Sequence, residues 1–266
     1  MICLTDRFVV PAEHRVTYDV VVFAALGWER RAVTDSLRAL EPVRSHAWSG
    51  RTAEGARCLV VQTGVGPERA GRAVAAAPDA KLFLACGCGG GLAPWLRAGD
   101  IVVADAVYDN GQTAHAGTSG FGEWAARRGL RVHRGSVLSS PSVLATAAAK
   151  AAAARDGAII VDMESGPIAA AAAARSIPFA ALRVVVDAAD EAVPFAPDVF
   201  DEYGEMRPAR IAMRLAARPW LWPLVARLAR RSRIAERRLR VVAGALFGPG
   251  GGEALYGRPI ASVVEA

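Results

Sequence analysis

The stretch from Ala158 to Asp190 reads AIIVDMESGPIAAAAAARSIPFAALRVVVDAAD. Two apolar runs of strand length, Ala158–Val161 and Pro178–Val186, flank an Ala-rich run of helical length, Ser165–Ser176. A strand followed by a helix and a second strand predicts a crossover unit, in which the helix covers one face of a parallel sheet. This part of the chain therefore indicates an α/β fold.

The same alternation extends toward the N-terminus and predicts one α/β domain over residues 1–195. Its sheet should be mixed and mostly parallel, with helices on both faces. Pro67 and Pro141 suit the first turn of a helix, where the missing N–H costs little. The further predicted strands are Asp19–Ala25, Arg57–Gln62, Lys81–Ala85, Asp100–Val107 and Val132–Leu138, and the further predicted helices are Trp28–Leu40, Pro67–Ala77 and Pro141–Ala154.

Composition agrees with one buried core. The 266 residues are 53% hydrophobic but only 7% aromatic, so Ala, Val and Leu must fill the interior. The four cysteines include no CxxC pair and no histidine at zinc-ligand spacing, which favours reduced thiols over a redox or metal site, and we expect no metal. Met1–Arg15 has no signal-like apolar stretch, and no run of about 18 apolar residues occurs, so we expect a cytoplasmic protein.

Two glycine-rich stretches invite a nucleotide-binding interpretation. Thr63–Gly71 reads TGVGPERAG and Ala85–Leu92 reads ACGCGGGL, but neither completes GxGxxG, and no GxxxxGK[ST] occurs. NAD and ATP are therefore not expected. Gly87 and Gly89–Gly91 could instead let the backbone approach a ligand with free amide groups, or could form a tight turn between a strand and a helix.

Three carboxylates follow predicted strands. Glu29 follows the first, Glu164 follows Ala158–Val161, and Asp187 ends the last. The carboxyl ends of strands in an open α/β sheet form the ligand crevice, so we expect these acids to converge on one pocket. Each acid taken alone would more often be a helix cap or a solvated side chain.

Five stretches together resemble the purine nucleoside phosphorylase and methylthioadenosine/S-adenosylhomocysteine nucleosidase superfamily, in the family's order. The most specific are VDMESGPIA (161–169) and PFAALRVVVDAAD (178–190); the others are AALGWE (24–29), TGVGPERA (63–70) and GCGGGLAPWLRAGDIVVAD (87–105). The resemblance implies an N-glycosidase. It also implies that Asp187 donates a proton toward purine N7, being kept protonated by burial or by sharing a proton with the base. Glu164 would bind the ribose hydroxyls, Met163 would lie against the ribose, and Glu29 would activate water.

Departures from the family pattern concern the purine pocket, which we expect Cys88, Gly89, Gly90, Val143 and Val186 to line. Val186 stands where nucleosidases have a small hydroxyl residue, Val143 where they stack an aromatic ring, and Cys88 where serine is usual. These departures put methylthioadenosine in doubt as the substrate. Ala85, Cys86 and Gly87 stand where phosphorylases present an arginine, which favours hydrolysis. We expect no cofactor, with phosphate as the alternative co-substrate.

Residues 196–266 form a predicted basic, amphipathic helical extension. Arg207–Arg240 carries a net charge of +10, against −4 for the remainder of the chain. Leu221, Leu224, Val225 and Leu228 share one helical face, and the predicted membrane contacts are Trp220, Trp222, Arg227, Arg230 and Arg231. The alternative is that this helix docks on the body or on a dimer partner, and Pro219 and Pro223 should divide it into shorter helices.

Residues 191–243 are also similar to the tail of hopanoid-associated phosphorylase-like proteins, described as adenosylhopane nucleosidases. This resemblance implies removal of adenine from a membrane triterpenoid, by a peripheral enzyme at the inner face of the membrane. The superfamily implies a homodimer, and the acidic body argues against nucleic-acid binding. A general purine or methylthioadenosine nucleosidase, a purine nucleoside phosphorylase, and a non-catalytic nucleoside- or lipid-binding protein remain as alternatives.

Overall fold

The computed structural model describes residues 18–109, 112–115, 121–154, 157–193 and 222–256, with isolated positions at 201, 203, 205, 207, 210, 213, 216 and 220. The strands are β1 (Tyr18–Ala24), β2 (Arg38–Arg44), β3 (Ala47–Arg51), β4 (Arg57–Gln62), β5 (Ala80–Gly91), β6 (Ile101–Asp109), β7 (Gln112–His115), β8 (Val132–Ser139), β9 (Ala158–Asp162) and β10 (Phe179–Asp187). The helices are α1 (Gly27–Thr34), α2 (Pro67–Ala75), α3 (Phe121–Arg127), α4 (Ala147–Ala153), α5 (Ser165–Ala174), α6 (Trp222–Phe247) and α7 (Gly252–Tyr256).

One mixed sheet contains all ten of these strands and partly closes on itself. Parallel pairings join β4, β1, β5 and β10 in one run and β6, β8 and β9 in another. Antiparallel pairings of β10 with β6 and of β5 with β9 connect the two runs into a ring of five strands. The predicted mixed α/β fold is confirmed, and the length of β5 lets it pair with β1, β10 and β9.

Helices cover both faces of the sheet, as predicted. The alternation of side chains along β1 sends Val20 and Val22 to one core and Val21 and Phe23 to the other. The first core is closed by α1, α3, α6 and α7, and the second by α2 and α5. Both cores are built mainly from Ala, Val and Leu, so the helices pack closely on the strands.

Several elements differ from the sequence-based prediction. The helix predicted to run to Leu40 ends at Thr34, and the chain then forms the hairpin of β2 and β3. Strand β2 shows no alternation of apolar and polar residues that would predict it, because every residue of it is exposed. The helix predicted from Pro141 begins only at Ala147, where the Thr146 side chain accepts the Ala149 N–H at 3.1 Å as an N-cap. Pro67, by contrast, does begin α2.

The C-terminal extension contributes buried side chains to the first hydrophobic core. Six residues of α6 are buried, Ala235, Leu239, Val242, Ala243, Leu246 and Phe247, and the helix packs against α1 and β10. Pro223 lies in its first turn, so it does not break the helix. Leu221, Pro219 and the predicted boundary between residues 195 and 196 lie outside the described residues. No helix in the described part of the chain is long and apolar enough to cross a membrane.

Candidate active site

Glu29 is held rigidly in the first turn of α1. Its Oε2 accepts the backbone N–H groups of Ala25 at 2.9 Å and Leu26 at 3.0 Å, and its Oε1 accepts the N–H of Cys88 at 2.8 Å. The side chain is buried, so these bonds replace the water that the carboxylate loses on folding. The arrangement aims the carboxylate at β5.

The glycine-rich stretch 87–91 is the end of strand β5, which corrects the interpretation of it as a turn. A Cβ atom on Gly87 would lie 2.8 Å from Glu29 Oε2 and 2.9 Å from Arg183 Nη1, and one on Gly90 would lie 3.1 Å from Asp187 Oδ2. A Cβ on Gly89 would lie 2.7 Å from the Val161 carbonyl oxygen. These glycines therefore admit the protein's own charged side chains and the neighbouring backbone at very short range.

Glu164 lies at the N-terminal end of α5, between that helix and the glycine loop before α2. Its Oε1 accepts the Gly66 N–H at 2.8 Å and its Oε2 accepts the Met163 N–H at 3.3 Å. Burial and then Asp162 raise the pKa of Glu164 to about 7, with Arg183 and the Gly66 N–H opposing. Gly66 has φ of +105°, a conformation that favours glycine. Met163 lies beside it, with its Cε 3.7 Å from where a Gly66 Cβ would be.

A buried charge network that the sequence analysis missed lies behind these acids. Arg183 of β10 donates from Nε to Asp162 Oδ2 at 2.5 Å and from Nη2 to Ser165 Oγ at 2.9 Å. Burial alone would lower the pKa of Arg183, but Asp162, Glu164 and Glu29 together raise it. The arginine therefore stays charged and offsets these carboxylates. The sequence did contain a sign of this role, because Arg183 is the one charged residue within the apolar run FAALRVVV.

Asp187 ends β10 beside a β-bulge, with 8% of its surface exposed. Its Oδ2 accepts a hydrogen bond from Nζ of Lys150, a residue of α4 that the sequence analysis also missed. Burial raises the pKa of Asp187, and Lys150 opposes this rise. Burial or proton sharing with the base was the expected reason for a protonated Asp187, and the structure shows the burial together with a buried cation that opposes protonation.

The predicted pocket residues occupy different environments. Burial, followed by the Glu29 charge, raises the pKa of the Cys88 thiol well above its usual value. Val186 is buried and packs in the first core, while Val143 is half-buried in the segment before α4. Their roles around a purine stay predictions.

The three predicted acids do come together around the end of β5. Glu29 binds the Cys88 amide and Asp187 packs on Gly90, two residues further along the same strand. Glu164 interacts electrostatically with Glu29, with Arg183 acting on both. Such a cluster of buried acids at strand ends can hold hydroxyl groups and move protons.

A family model described as the phosphorylase superfamily matches residues 19–126 and 120–217, and so covers most of the chain. The chain belongs to the phosphorylase superfamily. A comparison with curated protein sequences found no match.

Solved structures share the fold of this superfamily member at low sequence identity. The methylthioadenosine/S-adenosylhomocysteine nucleosidase of Neisseria meningitidis, in complex with methylthio-immucillin-A, has a TM-score of 0.64 and 20% identity over 87% of this chain and 98% of its own. The corresponding Campylobacter jejuni nucleosidase has a TM-score of 0.62 and 13% identity over 86% and 97%. Futalosine hydrolase of Helicobacter pylori has a TM-score of 0.58 and 16% identity over 65% and 86%. These similarities show that the nucleosidases and this phosphorylase-superfamily chain share one fold.

Proposed function

We propose that the protein is an N-glycosidase that cleaves the bond between a purine and a ribosyl group, with water as the acceptor. The observation that carries this proposal is the meeting of Glu29, Glu164 and Asp187 around one strand end, with Asp187 bonded to a buried lysine. A protein that only binds nucleosides would have no use for a buried proton donor. Family membership and the fold shared with nucleosidases point to the same chemistry.

Each acid has a distinct task in this reaction. Departure of the purine leaves positive charge on the ribose, and the purine gains electrons that a proton at N7 can neutralise. Asp187 supplies that proton. Glu164, as a carboxylate, accepts hydrogen bonds from the ribose hydroxyls and stabilises the positive charge. Met163 lies beside Glu164 and would contact the sugar, while Glu29 takes a proton from the attacking water.

The surroundings of Glu29 favour water over phosphate. Arg183 is the cation beside Gly87, and its guanidinium is already bonded to Asp162 and Ser165. The alternative, phosphorolysis, is supported by a cavity of about 330 Å³ next to Thr63 that Arg44, Arg69 and Arg72 help to line. Arg69 and Arg72 there bond to Val65 and Glu68, which leaves less of their charge for an anion.

For the substrate, the proposal is adenosylhopane, whose adenosyl group would enter the site while its lipid body stays outside. The support is the position of α6, because Arg231 pairs with Glu191, and Glu191 accepts the N–H of Ala188 directly after Asp187. The basic helix therefore passes close to the proposed proton donor at Arg231. Arg227 and Arg230 are exposed, as are 70% of Trp220 and 60% of Trp222. Methylthioadenosine remains the alternative, as the substrate named for the structural relatives.

One assay tests both the reaction and the substrate. Adenine release is measured by chromatography with adenosylhopane, methylthioadenosine and adenosine, each with and without phosphate. We expect adenine release from adenosylhopane without phosphate. The ribosyl product should carry a hydroxyl group at C1′, as hydrolysis requires. Strict dependence on phosphate would establish phosphorolysis, preference for methylthioadenosine would replace the lipid substrate, and no release from any of the three would refute the enzyme assignment.

Membrane attachment is tested separately with vesicles. Basic residues near an anionic surface contribute on the order of 1 kcal/mol each, so the exposed arginines should give attachment that salt weakens. We expect Trp220→Ala/Trp222→Ala and Arg227→Gln/Arg230→Gln variants to co-sediment less with anionic vesicles than the intact protein. Because these residues are exposed, the variants should stay folded. Equal sedimentation of all three proteins, or none by the intact protein at low salt, would reject the membrane contact. The proposed homodimer is tested by light scattering.

A further inference from the structure

Lys150 is buried in a place where only a specific partner makes a charge tolerable. Its side chain is 1% exposed, and its ammonium donates to Asp187 Oδ2 and, at 2.7 Å, to the carbonyl oxygen of Ala188. An unpaired buried ammonium would cost several kcal/mol or would lose its proton. The ion pair with Asp187 therefore accounts for the burial of Lys150.

The residue type at this position is informative. The chain has two lysines and thirty arginines, and Lys150 is the one that bonds to Asp187. Lysine presents a compact charge on a flexible stem, whereas arginine presents a planar fork, so a lysine suits a site with one carboxylate oxygen and one carbonyl oxygen. Lys150 interrupts an otherwise all-alanine helix and is the residue of α4 that is buried.

We propose that Lys150 is a positioning residue for the proposed proton donor, holding the Asp187 carboxyl group in place and stabilising the carboxylate that forms when Asp187 delivers its proton to the departing purine. The inference rests on the proposed N-glycosidase function and goes beyond it, because it adds a second residue to the acid. Lys150 acts only through Asp187, since its described bonds are to Asp187 and Ala188.

The proton transfers balance as follows. The C1′–N9 bond breaks, its electron pair stays on the purine, and a proton moves from an Asp187 oxygen to N7. The Lys150 ammonium keeps its own proton and pairs with the Asp187 carboxylate that this transfer leaves. At C1′ a water oxygen forms the new bond, and one water proton goes to Glu29. The pair thus begins as a neutral carboxyl group beside an ammonium and ends the bond-breaking step as an ion pair.

Other charged groups around the pair are already paired with each other. Glu191, from the segment after β10, raises the pKa of Asp187, and Arg231, from α6, lowers it. These two form their own ion pair, so their effects on Asp187 oppose one another. Lys150 is therefore the cation that bonds directly to Asp187, and it lowers the pKa of that carboxyl group. Removal of Lys150 should raise the pKa of Asp187, because burial would then be less opposed.

The test compares pH profiles of kcat for the wild type, Lys150→Met and Lys150→Arg, with whichever of the three purine nucleosides the wild type cleaves. We expect kcat of Lys150→Met to fall by roughly 10²-fold where Asp187 is protonated, in the range of general acid catalysis, and its alkaline limb to move to higher pH. Lys150→Arg keeps a cation beside Asp187, so it should retain more activity and an alkaline limb closer to that of the wild type. Circular dichroism checks the fold, and Lys150→Gln, which lacks the charge but can still donate a hydrogen bond, provides the reading if Lys150→Met is unstable.

Each result has a definite meaning. A loss of activity in Lys150→Met with no movement of its alkaline limb would show that Lys150 only supports the structure, and a limb that moves to lower pH would show that Lys150 does not lower the pKa of Asp187; either overturns the proposal. Unchanged activity in both variants does the same. If the wild type cleaves none of the nucleosides, the proposed function itself has failed and the inference fails with it, a result read from the wild type alone.

Discussion

Glu29 Oε1 accepts the backbone N–H of Cys88 at 2.8 Å, which ties the first turn of α1 to the glycine end of β5. The bond fixes one carboxylate oxygen against the strand that also contacts Asp187. Two proposed catalytic acids from opposite ends of the domain sequence are thereby held against one rigid strand. Such rigidity is what a site needs to keep reacting groups aligned.

Glu29→Gln should lower kcat strongly and change KM little. The proposed contact with water matters mainly in the transition state, so its loss should not weaken substrate binding. Steady-state kinetics on adenine release measure both constants. A large rise in KM with normal kcat would show instead that Glu29 only shapes the binding site.

Gly87→Ala should disrupt the site although it adds one methyl group. That methyl group would lie 2.8 Å from Glu29 Oε2 and 2.9 Å from Arg183 Nη1, so both charged groups must move. Misplacement by about 1 Å can lower turnover by roughly 10²-fold, and we expect a loss of that size.

Gly71→Ala is the matched control. Gly71 lies in α2, and a Cβ atom added there would have nothing within 4 Å. The control should keep its activity and gain up to about 1 kcal/mol in stability. Equal activity of the two variants would contradict the close packing at Gly87.

Substrate binding should improve as the pH rises through about 7, the raised pKa of Glu164. Below that pH the side chain is protonated and accepts ribose hydroxyl groups less well, so KM should be higher. Glu164→Gln should bind substrate weakly at every pH, and its KM should lose this dependence on pH.

The stability of the protein should also depend on Glu164. The folded-state pKa of Glu164 lies above the ordinary value of 4.5, so the stability from Glu164 is fully present below pH 4.5 and is lost as the pH rises through about 7. Melting temperatures of the two proteins should therefore diverge between these values, in favour of Glu164→Gln at high pH. Parallel curves would show that Glu164 is not a buried acid with a raised pKa.

Arg183→Met should destabilise the protein by roughly 3–5 kcal/mol, the usual result of removing one partner from a buried ion pair. Asp162 and Arg183 are almost fully buried, so Asp162 would be left without its cation. The control is Arg134→Met, which removes a partner from the half-exposed pair with Asp105 and should cost about 0–1 kcal/mol. Denaturant unfolding measures both. Similar losses for the two variants would mean that the buried network contributes no special stability.

The strand–helix alternation was predictable from sequence because buried strands and Ala-rich helices leave clear periodic patterns. Strand Arg57–Gln62 was predicted at its observed bounds, and β9 and β10 within one residue at each end. The β2–β3 hairpin was not, since the exposed residues of β2 show no alternation. The continuation of β5 through Gly91 was also missed, because glycine is rare inside strands and its use here depends on side chains from α1 and β10.

The candidate site was predictable only in part for a similar reason. Glu29, Glu164 and Asp187 could be identified because acids that follow strands gather at one edge of a sheet. Lys150 could not be placed, since its partner lies 37 residues further along the chain. A pairing across that distance depends on the packing of α4 against the end of β10. No local pattern encodes it.

Adenine release by Asp187→Asn is the most direct test of the proposed N-glycosidase. The variant keeps the size of the side chain but cannot donate a carboxyl proton, so release should fall by ~10²–10⁴-fold. Because the change also removes the partner of buried Lys150, the double variant Lys150→Met/Asp187→Asn should be measured beside it as a more stable protein without the charge pair. The account predicts that both folded variants are nearly inactive while the wild type releases adenine. Turnover close to wild type in folded Asp187→Asn would contradict it.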